Sequence, residues 1–206
     1  YEDALYLLHE RGKAMQNAVP VGKGSMIAIL GMKNKEITNL LESRKDDVGV
    51  CEIANDNADG QVIVSGNKES INSLKDLLTQ KKIKSIPLKV SAPFHCSLMR
   101  PAAESMKDKI FGTKFDTPFL EIVNNVTAKP ESEPKNIKKL LVDQIFSTVK
   151  WRESLIEMNK TGVKNFIEIG PGKALSGMVK RTLKEVNSFS INSIADIKNF
   201  KNGFKK

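Results

Sequence analysis

Residues 3–19 open the chain with Ala4, Leu5, Leu7, Leu8, Met15 and Val19 at helical spacing, which predicts an amphipathic helix. Arg11 falls on that apolar stripe, between Leu8 and Met15, while His9, Lys13 and Gln16 point away from it. Val19-Pro20-Val21-Gly22-Lys23-Gly24 then breaks the period. Beyond it, strand-like runs at 25–31, 48–54, 61–65 and 83–90 alternate with helical patterns at 35–43 and 68–80. The order β-α-β-β-α-β is that of a ferredoxin-like unit, a small antiparallel sheet with two helices on one face. Between its middle strands lies Asn55-Asp56-Asn57-Ala58-Asp59-Gly60, longer and more polar than a tight hairpin requires. It reads as an Asx-rich turn or as a ligand-facing loop.

The fourth strand delivers the chain to Ser91-Ala92-Pro93-Phe94-His95-Cys96-Ser97-Leu98-Met99. Pro101 opens a helix over 101–111 that stops at Gly112. A strand at 119–123 ends at Asn124-Asn125, and 129–134 reads as a loop. Helices at 136–146 and 151–160 follow, then a strand at 165–169, a helix at 174–186 and a strand at 189–194. This alternation predicts a mostly parallel sheet with helices on both faces, so the fold class is α/β. Gly170-Pro171-Gly172-Lys173 lacks the spacing of a phosphate loop or a dinucleotide fingerprint. It reads as a glycine turn that lets the following helix pack closely on the sheet.

At 206 residues, with 40% hydrophobic and 28% charged, the chain is long enough to bury a sizeable core. No apolar run approaches the roughly 18 residues of a membrane helix, and no signal-peptide pattern opens the chain. Two cysteines, Cys51 and Cys96, do not make a disulfide scaffold and fit a reducing cytoplasm. The chain starts at Tyr1, directly in a helical pattern, which reads as a truncated sequence. The net charge of +9 raises nucleic acid as a partner. Its dispersal along the chain, the excess of Lys over Arg and the lack of interleaved aromatics argue against that, and favour a solvated Lys-rich surface. The same charge suits an acidic protein or a phosphate-bearing ligand.

Candidate chemistry begins with His95, on a loop leaving a strand, where an imidazole either moves protons or merely packs and caps. Arg11 on an apolar stripe reads as an internal salt bridge or as a guanidinium held ready for a carboxylate ligand. Two histidines and two cysteines without HExxH or CxxC spacing support no metal site. Cys96 beside His95 makes a poor dyad, because neighbouring side chains in extended backbone face opposite ways. No G-x-S-x-G nucleophile elbow occurs in the chain.

Several motifs in order carry a resemblance. They are Arg11-Gly12 with Met15-Gln16, Asn55-Asp56-Asn57 before Gly60-Gln61-Val62-Ile63-Val64-Ser65-Gly66, Ala92-Pro93-Phe94-His95, Val123-Asn124-Asn125-Val126, Gln144 ahead of Trp151, and Glu168-Ile169-Gly170-Pro171-Gly172-Lys173. Together they resemble the C-terminal two-thirds of the malonyl-CoA:acyl-carrier-protein transacylases. The resemblance implies a partial α/β-hydrolase-like parallel-sheet domain, residues 1–19 and 91–206, with an inserted ferredoxin-like subdomain over 20–90. It implies an acyltransferase of fatty-acid synthesis in the cytoplasm that moves malonyl from coenzyme A to the phosphopantetheine thiol of acyl carrier protein, with no cofactor, nucleic acid or membrane.

By the same resemblance, His95 is the general base of a Ser-His ping-pong mechanism, and the backbone carbonyl of Gln144 holds its imidazole. Arg11 grips the free carboxylate of malonyl, Asn55 lines the acyl and pantetheine channel, and Phe94 crowds an α-methyl group. The family's nucleophilic serine and oxyanion-hole segment have no counterpart here. That implies a chain inactive by itself and, with sheet strands lacking, prone to aggregate. Two further readings stand beside this one: a non-catalytic ferredoxin-like module that recruits an acidic carrier protein through its lysines, and a Cys/His hydrolase using Cys96.

Overall fold

A computed structural model describes residues 1–44 and 49–203. Helix α1, Glu2–Asn17, packs through Leu7, Ala14, Met15 and Ala18, a face on which Arg11 also lies. Leu5 and Leu8 of the expected stripe instead face solvent. Strand β1, Gly24–Leu30, is buried over Met26–Ile29. Helix α2, Asn34–Glu42, strand β2, Cys51–Ala58, and strand β3, Gln61–Asn67, come next. Helix α3, Lys68–Gln80, and strand β4, Ser85–Pro87, complete this unit.

The four strands form one antiparallel sheet in the order β2-β3-β1-β4. Ile27 and Ile29 of β1 and Val62 and Val64 of β3 alternate onto one face. There they meet Ile37 of α2 and Ile71, Leu74 and Leu78 of α3, so both helices cover the same side. At roughly 1.5–3 kcal/mol for each fully buried aliphatic side chain, this cluster is the main source of the unit's stability.

The polar stretch after Ala54 is strand, contrary to expectation. Asn55–Ala58 continue β2 through two register shifts, and only Asp59-Gly60 turn the chain, with Gly60 at φ +70. Polar residues persist in the strand because Asp56, 1% exposed, meets Arg152 and Asn34 from other elements. Of the strand expected at 48–54, Val48 lies outside the described residues, and pairing starts at Cys51. The strand expected at 83–90 shortens to Ser85–Pro87, although Leu30 N–H and Leu88 N–H extend its bonding to Lys84 and Met26 carbonyls.

The chain then runs through helix α4, Arg100–Gly112, strands β5, Ile122–Val123, and β6, Pro130–Glu131, and helix α5, Pro134–Asp143. Helix α6, Trp151–Lys160, strand β7, Asn165–Ile169, helix α7, Ala174–Thr182, strand β8, Asn187–Ile191, and helix α8, Ile194–Gly203, finish it. Two differences from expectation share a cause. Phe119 and Leu120 are apolar but exposed and unpaired, so the strand at 119–123 contracts to two residues, which pair with β6 inside the expected loop. Helix α8 was not expected, although Ile194, Ile197 and Phe200 recur at helical spacing.

Among the described residues the parallel part of the fold is β7 with β8, in register from Asn165↔Asn187 to Ile169↔Ile191. Leu155, Val179 and Leu183 form a small core between α6 and α7. A separate core joins Met15, Ala92, Met99, Ala103, Met106 and Ile145, from α1, the His95 loop, α4 and the end of α5. At Gly170 (φ +140) and Gly172 (φ +93) no atom beyond the adjacent residues lies within 4 Å of where a Cβ would stand. These glycines serve the backbone conformation, not the close packing expected of them. The carboxylate of Glu168 receives the N–H groups of Leu175 and Ser176 at the start of α7 instead.

Candidate active site

The loop that carries His95 is held on several sides. Ala92 and Pro93 are buried, and Pro93 lies so close to β1 that a Cβ on Gly24 would come within 2.3 Å of its Cδ. His95 itself has φ +59, a left-handed conformation that costs a non-glycine residue roughly 1–2 kcal/mol. Such a conformation persists only where the surroundings over-determine it. Here Cys96 Sγ donates to the Pro93 carbonyl at 3.1 Å, and Ser97 donates its N–H (2.8 Å) and hydroxyl (2.7 Å) to the Glu52 carboxylate on β2. Met99 then anchors the loop in the core, fully buried.

His95 Nδ1 lies 2.9 Å from the Gln144 carbonyl oxygen. A carbonyl only accepts, so Nδ1 carries the hydrogen, and in the neutral ring Nε2 keeps its lone pair. The carbonyl is free for this because Gln144 caps the C-terminus of α5, where the last carbonyls have no intrahelical donor. Burial pushes the imidazole below its ordinary value, the Gln144 carbonyl opposes that, and the Arg11 cation lowers it further. The result is a neutral ring poised to accept a proton at Nε2.

Helix α1 and the His95 loop are neighbours: Met15 and Phe94 pack in one core, and Ser91 Oγ donates to Gln16 Oε1 at 2.5 Å. Arg11 is half-buried, and burial alone lowers its pKa. Among the described residues it has no carboxylate partner, so the internal salt bridge is corrected: Glu10, its neighbour, is taken up by Lys109 and Lys13.

Phe94 is half-buried against the core cluster that contains Met15, one turn beyond Arg11. Asn55 lies in β2, where its backbone bridges Val149, and its side chain does not line the cleft beside His95. That cleft, about 420 Å³, is bounded by Glu52, His95, Ser97, Arg100, Phe146 and Lys150 among others, with the Arg100 guanidinium 4.5 Å from the Phe146 ring centre. Cys96 is fully buried and burial raises its thiol, so it offers no nucleophile; since His95 is left-handed, this reason replaces the extended-backbone one. Among the described residues no group of three or more His, Cys, Asp or Glu could hold a metal ion, and no helix is long and apolar enough to cross a membrane.

Sequence reasoning missed Glu52 and the Asp56–Arg152 pair. Their partners are 45 and 96 residues away, and only the unusual Asp inside an apolar strand boundary hinted at a buried ion pair.

Residues 1–205 match the family described as the acyl transferase domain. The chain belongs to the acyl transferase domain family. Within that family it is 38% identical over 196 residues to the malonyl CoA-acyl carrier protein transacylase of Haemophilus influenzae, covering 95% of this chain and 62% of that protein. It superposes on the crystal structure of the malonyl CoA-acyl carrier protein transacylase from Clostridium perfringens with a TM-score of 0.94 and 34% identity, covering 99% of this chain and 64% of that one. A malonyl-transacylase solved in complex with its type II PKS acyl-carrier protein matches with a TM-score of 0.90 and 35% identity, covering 97% of this chain and 65% of that one. The acyl transferase domain described here thus spans just under two-thirds of the length of these relatives.

Proposed function

We propose that this acyl transferase domain belongs to a malonyl-CoA:acyl-carrier-protein transacylase of fatty-acid synthesis. The single observation that carries the reading is the bond from His95 Nδ1 to the Gln144 carbonyl, on a loop that packs against helix α1, the helix of Arg11. In the first half-reaction His95 Nε2 takes the proton from a serine hydroxyl as its oxygen attacks the malonyl thioester carbon. The tetrahedral adduct collapses, the C–S bond breaks, and the imidazolium returns the proton to the coenzyme A thiolate. The phosphopantetheine thiol of acyl carrier protein then gives its proton to His95 and attacks the acyl-serine ester; the C–O bond breaks and the imidazolium returns the proton to the serine oxygen. The nucleophilic serine is not in this chain; we assign it to the part of the family's length that this chain does not span.

Arg11 grips the free carboxylate of malonyl bidentately, so that an acetyl substrate leaves it unpaired. Phe94 stands beside the base, where it crowds an α-methyl group; Asn55, which does not line the cleft beside His95, is given no contact with the acyl group. Coenzyme A enters as substrate, and no cofactor is required. The lysine-rich surface fits an acidic carrier protein, in line with the carrier complex of the relative.

We read residues 20–90 as a ferredoxin-like subdomain inserted in an α/β-hydrolase-like domain formed by 1–19 and 91–206. Two separate cores and the strand order β2-β3-β1-β4 support this division. Two cysteines, Cys51 and Cys96, make no disulfide framework and fit a cytoplasmic enzyme. By itself the chain is inactive for want of the serine, and aggregation-prone because apolar residues such as Leu8, Phe119, Leu120 and Ile169 are bare.

The test is malonyl loading of the intact protein, followed by mass spectrometry after incubation with malonyl-CoA. A stable acyl adduct on a serine, formed about 100- to 10,000-fold more slowly in His95→Ala, is the expected result. No adduct, or loading indifferent to His95, contradicts the proposal.

A further inference from the structure

The left-handed turn at His95 needs a restraint on each side. On the N-terminal side the restraint is Ala92, buried in the core with Met15 and Met99, and Pro93, set against Gly24 of β1. On the C-terminal side, the half-buried Glu52 carboxylate takes both donors of Ser97, the backbone N–H at 2.8 Å and the hydroxyl at 2.7 Å. Two charge-assisted bonds to one residue fix both the position and the orientation of the peptide two residues beyond the imidazole. Glu52 comes from β2, an element with no covalent proximity to the loop, so the small sheet reaches across to the base. We propose that Glu52 is a positioning residue for His95: by clamping Ser97 it holds the turn that aims Nδ1 at the Gln144 carbonyl and leaves Nε2 presented to the reacting group.

The inference rests on the reading of His95 as the general base. Glu52 acts through geometry, since its two bonds go to Ser97 while the imidazole is bonded to the Gln144 carbonyl. Catalytic power is sensitive to such placement, since a misplacement of about 1 Å costs on the order of 100-fold in rate.

The test is steady-state malonyl transfer by the intact protein, with Glu52→Leu, Glu52→Gln, Ser97→Ala and the double Glu52→Leu/Ser97→Ala measured beside His95→Ala. Glu52→Leu lowers kcat by about 10- to 100-fold and leaves KM for malonyl-CoA within about two-fold. Ser97→Ala keeps the N–H bond and loses less, and the double variant is no slower than Glu52→Leu alone, because both changes remove one interaction. Glu52→Gln keeps one acceptor and falls between wild type and Leu; with Ser97→Ala it carries the test if the leucine variant does not fold. The Nδ1–H proton resonance of His95 shifts in the Glu52 variants, as purely structural damage elsewhere would not make it do. Wild-type kcat in Glu52→Gln and Ser97→Ala, losses that add in the double variant, or an effect on KM alone overturns the positioning role. Full transfer by His95→Ala overturns instead the reading beneath it, and the inference with it.

Discussion

Removing Arg152 tests how the small sheet is fastened to the segment that carries Gln144. Arg152 Nε lies 3.0 and 3.1 Å from the two Asp56 carboxylate oxygens and Nη2 lies 2.9 Å from one of them, while Asn34 donates to the same group at 3.1 Å. Asp56 is 1% exposed and Arg152 is 24% exposed. Next to this pair, Thr148 donates to the Ile53 carbonyl, and Val149 exchanges backbone bonds with Ala54 and Asp56. The asymmetry of burial sets the magnitudes. Arg152→Leu strands a carboxylate in the interior and should cost about 3–5 kcal/mol. Asp56→Asn leaves a guanidinium that water still reaches, and should cost about 1.5–3 kcal/mol. In a protein of this size the larger loss lowers the thermal midpoint by about 6–20 °C, readily measured by circular dichroism or calorimetry. The double variant should be more stable than Arg152→Leu alone, because no charge is left buried. Equal losses from the two single changes, or strict additivity, would refute the assignment of a buried, desolvated carboxylate.

Three further outcomes follow from the site and the loop that carries it. Because burial and Arg11 hold His95 below the ordinary imidazole value of 6.5, the acidic limb of kcat/KM should have its midpoint below that pH, and a midpoint above 6.5 contradicts it. The same shift makes the His95 contribution to stability fully present above 6.5 and lost as pH falls through the depressed folded-state value, which thermal melts across that range detect. Gly24→Ala would drive a Cβ into Pro93, so it should cost about 1–3 kcal/mol and slow turnover by displacing the His95 loop; an unchanged melting midpoint and rate would show that the loop yields freely.

The parts of the fold that were legible in the sequence are those whose stability is local. Helices α3 and α6 and strand β7 occur where their periodicity places them, because one apolar face and clear end signals define each. Asn55–Ala58 misled the pattern, since polar residues in a strand are stabilised by partners on α6 and α2 that periodicity does not see. Leu5 and Leu8 misled it the other way: they fit a helical stripe, yet no described element covers them. For the site, the strand-to-loop position of His95 and the placement of Arg11 on a packed face could be read from spacing. The bond from His95 to Gln144 came through family resemblance alone, because a backbone carbonyl at a helix end leaves no trace in residue type. Glu52 left none either, its partner being supplied by topology.

The proposed function requires that Arg11 and His95 act on one acyl group. Its most direct measurement is the ratio of malonyl to acetyl loading by the intact protein, compared between wild type and Arg11→Ala. The predicted result is a collapse of malonyl loading with acetyl loading far less affected, so that the preference for the charged acyl group disappears. Equal losses for the two substrates would mean that Arg11 only supports the fold, and would contradict the account.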